Sequence, residues 1–293
     1  MTRGPRWLIV TVALVATLGG CAPAGGDGDV VDDWGALPSA APIVPPSGVC
    51  YASSLTNANR IDAAASDRLP CDQQHAVETY HVGQFPPNVA AVPTVGHPDY
   101  VAAFAECEAK AAQFLGAEWY NGRLYLDITV PQARQWDGGG RWFRCELIET
   151  KFMYTDVVVK RNSSLAGALS GAAPVALRCG NVIGKKPDNG WDDLEPVDCA
   201  QAHDAEYAGS FKAPGTEEPT DKQRESIYDG CWDTVARYLG GSRDKIQVGY
   251  LVWSTAEEEW DKGDHWVRCY AWGDDKKIVG TVKGIGNAAP RSG

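Results

Sequence analysis

The chain has 293 residues, 38 acidic against 27 basic, and a formal charge of −11. A body of that sign is repelled by nucleic acid and by anionic lipid headgroups, which removes both as partners. Nine cysteines and eleven tryptophans point to small covalently linked domains outside the reducing cytosol.

Residues 1–20, "MTRGPRWLIVTVALVATLGG", set Arg3 and Arg6 ahead of an apolar run from Trp7 to Leu18. That is a secretory signal peptide whose core is too short to span a bilayer. Its end, Leu18-Gly19-Gly20-Cys21, resembles the bacterial lipobox, which implies that Cys21 is lipidated and becomes the first mature residue. Without the two arginines the mature chain carries −13. Attachment then rests on the acyl chains, at about 0.8 kcal/mol per buried CH₂. The expected location is the extracytoplasmic face of the cell membrane. Residues 21–47 are rich in Gly, Pro, Ala and Asp without periodicity and read as a flexible tether.

The other eight cysteines form two sets. Cys50, Cys71, Cys107 and Cys145 are separated by 21, 36 and 38 residues, and Cys179, Cys199, Cys231 and Cys269 by 20, 32 and 38. "WFRC" and "WVRC" close the sets, with Trp136 and Trp260 each six residues before the motif's Trp142 or Trp266. The spacing predicts a tandem duplication, residues 48–173 and 174–293. Four cysteines per domain predict two disulfides, with three connectivities open; neighbour pairing is the expectation. Oxidised sulfur also argues against zinc.

In chain order, strands are predicted over 77–82, 124–130 and 142–148 by alternation and β-branched content, and again over 205–211, 245–253 and 266–272. Between them lie two helices. The first starts at Pro98, buries Tyr100, Phe104, Cys107, Ala111 and Phe114, and stops at Gly116; the second buries Ile227, Cys231, Val235, Tyr238 and Leu239 and stops at Gly240. The predicted class is α+β: two small domains, each a mostly antiparallel sheet with one packed helix and two disulfides.

The pattern C-x-x-x-H-x-x-E occurs twice, as Cys71-His75-Glu78 and Cys199-His203-Glu206. On a helix such a His and Glu would share a face and could hold a metal; the alternation that follows predicts a strand, which separates them. His81, His97 and His265 have no counterpart in the other copy. A structural histidine beside the disulfide is the leading expectation, with His75, Glu78, His203 and Glu206 kept as candidate binding residues. Trp136, Trp142, Trp260 and Trp266 flank the polar loops "QWDGGGRW" and "EWDKGDHW", where they could stack on a sugar ring or peptide, or cover the disulfides. Arg144 and Arg268 precede cysteines within strands, so they are expected to face outward and pair either a ligand carboxylate or one of the many surface acids. The acidic runs "GDGDVVDD" and "EEEW" read as solvated. No catalytic motif, phosphate loop or dinucleotide fingerprint occurs, and neither a metal nor a cofactor is implied.

Taken together, "LPCDQQHAVETYHVGQF" and "PVDCAQAHDAEYAGSF", each followed by a cysteine-bearing helix and then "RWFRC" or "HWVRC", resemble the septum-formation domain of actinobacterial membrane and secreted proteins. The resemblance implies a link to septum formation but no defined reaction. The leading expectation is a non-enzymatic binding or scaffold module of the cell envelope, whose partner is cell-wall polymer or another exported or membrane protein. The alternatives are a metal-dependent envelope enzyme using the His-Glu pairs and a solute-binding lipoprotein of a transporter.

Overall fold

The runs of β-branched and aromatic residues form the centres of two antiparallel sheets. In a computed structural model, which describes residues 42–52, 68–152, 157–184, 192–215, 219–253 and 257–293, each half of the chain builds one five-stranded sheet. The first comprises β1 (Val49–Tyr51), β2 (Arg68–Leu69), β3 (Val77–Gln84), β4 (Leu124–Thr129) and β5 (Trp142–Glu149), in the order β2-β1-β3-β5-β4. The second comprises β6 (Cys179–Ile183), β7 (Asp193–Val197), β9 (Ala205–Lys212), β10 (Gly249–Trp253) and β11 (Trp266–Trp272), in the order β7-β6-β9-β11-β10. Strand for strand the two orders are the same. A short pair, β8 (Ala202–His203) with β12 (Ile278–Val279), lies apart. The fold is α+β.

One long helix packs on each sheet: α1 (Pro98–Leu115) and α3 (Asp221–Leu239). Pro98 sits in the first turn, where its missing N–H costs nothing, and His97 caps the helix by accepting from the Asp99 amide. At the other end Gly116 takes φ 84°, a left-handed conformation, and its amide closes on Ala112 O. The face of α1 that meets the sheet buries Tyr100, Ala103, Phe104, Cys107, Ala111 and Leu115, adding Ala103 and Leu115 to the expected set; Phe114, expected on that face, lies at its edge and is only partly buried. In α3, Ile227, Cys231, Val235 and Leu239 do the same. Two short helices went unseen in the sequence, α2 (Ala133–Asp137) and α4 (Glu257–Lys262). The strand expected over 245–253 begins only at Gly249, because the Lys245 and Ile246 amides both turn back to Ser242 O.

The cysteines join neighbour to neighbour, with Cα atoms 5.1 to 5.3 Å apart. Cys107–Cys145 and Cys231–Cys269 pin α1 to β5 and α3 to β11, inside the two main apolar clusters. Cys50–Cys71 and Cys179–Cys199 tie the first strand of each sheet to the loop before β3 or β9. Each closes a loop of 20 to 38 residues and stabilises by roughly 3 kcal/mol in the chain-entropy account.

Each sheet carries a second, smaller apolar cluster on its far face. Tyr51, Ala76, Val77 and Ile148 form it in the first half, and Leu194, Ala205, Leu251 and Tyr270 in the second. The signal peptide, Cys21 and the tether up to residue 41 lie outside the described residues, as does the run "GDGDVVDD". Among the described residues no helix is long and apolar enough to cross a membrane.

Candidate functional site

The repeated His and Glu are buried, and what they hold is the fold. His75 and His203 are 1% and 0% exposed, and each donates from Nδ1 to the carbonyl two residues earlier, Gln73 O at 2.7 Å and Gln201 O at 2.8 Å. Each Nε2 is buried without a hydrogen-bond partner among the described residues. Glu78 accepts from Ser164 Oγ at 2.6 Å and from the Leu165 amide at 2.7 Å. Glu206 accepts from Thr281 Oγ1, from the Val282 amide and from Tyr238 Oη. Both acids therefore grip the segment that follows the last strand of their own half.

That segment in turn caps the long helix. The Gly167 and Leu169 amides donate to Phe114 O and Leu115 O, and the Gly284 and Gly286 amides to Tyr238 O and Leu239 O. The last carbonyls of a helix have no intrahelical donor, so a tail held by a buried carboxylate supplies one. Ligand atoms of Cys50, Cys71 and Glu78 lie within 4.8 Å of one another, as do those of Cys179, His203 and Glu206. In the oxidised chain those sulfurs are bonded in disulfides and both carboxylates are occupied by the tails.

Of the candidate tryptophans and arginines, Trp136, Trp142, Trp260, Arg144 and Arg268 are buried and Trp266 is half-buried. Trp136 and Trp260 are 3% and 2% exposed, because α2 and α4, where polar loops were expected, turn them inward. Trp136 packs on Phe85, and Trp260 stacks on His265 with ring centroids 4.2 Å apart. Trp142 is buried beside Arg144 on the far face of the first sheet. The strand geometry does point Arg144 and Arg268 away from the cysteine face, but that face is covered. Arg144 donates to Tyr51 Oη at 2.8 Å, and its Nε lies 3.0 Å from Glu146 Oε1 as an ion pair without hydrogen-bond alignment. Burial pushes the Glu146 carboxyl up to about 7, while Arg144 and the Thr129 and Thr79 hydroxyls pull it back.

Arg268 and Trp266 face the other half of the chain. Arg268 Nε donates to Tyr120 O at 2.9 Å, and its guanidinium lies over the Trp119 ring. Trp266 stacks on Tyr120 with centroids 3.6 Å apart and donates to Glu108 Oε1 at 2.8 Å, which also accepts from Trp119. Beside them Lys262, 1% exposed along its side chain, sits 2.6 Å from Tyr125 Oη, 2.8 Å from Glu259 and 3.6 Å from Asp127. Glu259 belongs to the run "EEEW" that reads as solvated. Here it is largely enclosed, and burial raises its carboxyl above the usual range despite Lys262. The buried Asp264 carboxyl is raised by the same cause to about 7, against the pull of Arg268.

The open concavity lies elsewhere at this junction. A cavity of about 300 Å³ is framed by the 172–178 connection, the edge of the second sheet at β6 and β7, and Tyr270. A second, of about 270 Å³, shares Arg123 and Pro196 with it and extends to Lys151 and Phe152. Together they form a groove built by both halves. Its floor is apolar, from Pro174, Leu177, Leu194 and Pro196. Its cations are Arg123, Arg178 and Lys151, and its acids Glu195 and Asp198. Arg123 is fixed by Glu149 at 3.2 Å and by the Pro174 and Ala176 carbonyls. Arg178 and Lys151 are exposed; Arg178 donates to Ala172 O, and Lys151 lies over the Phe152 ring. Sequence reasoning passed over these three cations. The one usable signal was that Arg178 precedes a cysteine as Arg144 and Arg268 do.

The chain was compared with known proteins. A family model described as septum formation matches residues 47–269, in one span that runs across both halves. No curated protein and no solved structure matches the chain.

Proposed function

The chain belongs to the septum-formation family, and from that membership we propose that it is a non-enzymatic binding or scaffold module of the cell envelope with a part in septum formation. Its body is held to the extracytoplasmic face of the membrane by lipid on Cys21, across the tether of residues 21–47. The two halves, 48–173 and 174–293, arose by tandem duplication; the shared strand order, the paired disulfides and the two glutamate-held tails support that reading. Its partner is cell-wall polymer or another exported or membrane protein.

The observation that carries the proposal is the groove. It is open, lined by apolar and charged side chains from both halves, and set where two packed units meet, a common place for ligand sites. The motif residues are spent on holding the fold, so they are not available to a ligand without rearrangement.

The test is co-sedimentation of the full chain in detergent, disulfides intact, with purified wall sacculi, beside a reduced and alkylated control. Pelleting of the oxidised form alone supports wall binding by the folded domains. Absence of pelleting in both forms sinks the wall-polymer branch and leaves an exported or membrane protein as the partner, to be sought by crosslinking in the native envelope.

A further inference from the structure

We infer that the groove takes a short peptide with a free carboxylate next to small apolar side chains. This deepens the proposed binding function and rests on it. Three cations face two acids along the lining, so the groove carries a small positive excess within a chain whose total charge is −11. That excess matches one negative charge. A polyanion or a doubly charged phosphate would meet Glu195 and Asp198 at close range.

Arg178 is placed to receive the carboxylate. It is exposed on the groove wall, and the only hydrogen bond or ion pair of its side chain among the described residues uses one nitrogen on Ala172 O, which leaves the rest of the guanidinium fork for a carboxylate. Arg123 lines the same groove, already oriented by two backbone carbonyls and by Glu149, a carboxylate it shares with Arg161, so it adds fixed charge without having to be ordered on binding. Pro174, Leu194 and Pro196 give an apolar lining that can cover methyl-sized side chains. Glu195, in the adjoining part of the groove, can accept from a peptide N–H or ammonium. The volume, about 300 Å³ with about 270 Å³ adjoining, lies at the small end of ligand pockets. A few residues of peptide fit it.

Peptide carboxylates of this kind come from two sources, wall peptide stems and the tails of proteins, and chirality separates them. Binding of the full chain in detergent is measured by calorimetry for three probes: Ala-Ala-Ala ending in L-alanine, the same peptide ending in D-alanine, and the C-terminal amide. The expected result is that one of the free acids binds and its amide binds at least tenfold more weakly. Preference for the D-ended acid marks the wall stem as source, and preference for the L-ended one a protein tail. Arg178→Glu should abolish the difference between acid and amide while the far-ultraviolet spectrum and melting temperature stay unchanged. Equal binding of acid and amide, or an unaltered preference in Arg178→Glu, overturns the assignment. If sacculi pellet the chain and no peptide binds, the groove assignment falls and the binding function stands. If neither binds, the groove assignment and the wall-polymer branch both fall.

Discussion

Replacing Glu206 with alanine should cost more stability than replacing Glu78, and both should cost far more than an ordinary surface change. Glu206 is 3% exposed and accepts from the Val282 amide, Thr281 Oγ1 and Tyr238 Oη, whereas Glu78 accepts from two groups, the Leu165 amide and Ser164 Oγ. A hydrogen bond to a charged group is worth about 1.5–3 kcal/mol, and a buried donor left without a partner costs a further amount of similar order. Part of the loss returns because a buried carboxylate no longer has to be desolvated. The balance is about 3–5 kcal/mol for Glu78→Ala and somewhat more for Glu206→Ala. The loss should be local first. With its anchor gone, the tail releases the helix C-terminus, so the Gly284 and Gly286 amides in one variant, and the Gly167 and Leu169 amides in the other, lose hydrogen-exchange protection ahead of the sheets. Urea unfolding at pH 7 with disulfides intact measures the global term, and amide exchange the local one. A loss below about 1 kcal/mol in both variants, or protection lost first in the sheets, would refute the argument that these acids work by holding the tails.

Trp266→Ala removes the stack on Tyr120 and the donor to Glu108; because the side chain is half-buried, a loss of about 2–3 kcal/mol is expected, at or below the low end for a core tryptophan, with faster proteolysis of the 172–178 connection as its local sign. Unchanged cleavage there would mean that this contact does not hold the junction. Stability should fall as pH rises from about 4.5 to 7, because burial raises Glu146 and Asp264 to about 7 in the folded chain. An acid whose folded pKa is raised binds more protons folded than unfolded, so its contribution is present below the unfolded pKa and lost as pH climbs through the folded one. Glu146→Gln should flatten that part of the stability profile, and an unaltered slope would remove Glu146 as its source. Gly83→Ala should destabilise, since a Cβ there would lie 2.1 Å from the Phe143 ring, inside any real contact; a wild-type melting curve would contradict the packing. Breaking Cys107–Cys145 by serine substitution should cost about 2–5 kcal/mol, and an unshifted melting curve would contradict the bridge's place inside the main apolar cluster.

Much of the fold could be read along the chain because its determinants are local. Alternating side chains set β3, β5, β9 and β11, and Pro98 and Gly116 bracket α1, because each fixes or frees a backbone angle within its own residue. Closely matched cysteine gaps, four cysteines in each half, set the expected disulfide count. The short helices α2 and α4 escaped notice, since five or six residues, mostly polar around one tryptophan, carry no period of their own; their buried tryptophan becomes legible only when the neighbouring sheet is present.

The site was the part that sequence could not reach. Strand alternation put Arg144 and Arg268 on the face opposite the cysteines, and that was correct; whether the face meets water depends on what lies over it. Tyr51 and Glu146 engage one arginine, and Tyr120 with Trp119, from the other half, the second. Burial is a property of what arrives from far along the chain. By itself, the order of residues set the recurring cysteine spacing, the α+β class and the number of disulfides, all of which follow from spacing and local backbone preference. Only the tertiary structure decided that Glu78 and Glu206 hold the tails that cap the helix ends, and that Arg123, Arg178 and Lys151, scattered over 56 positions of the chain, line one groove, because that juxtaposition exists only where the two sheets meet.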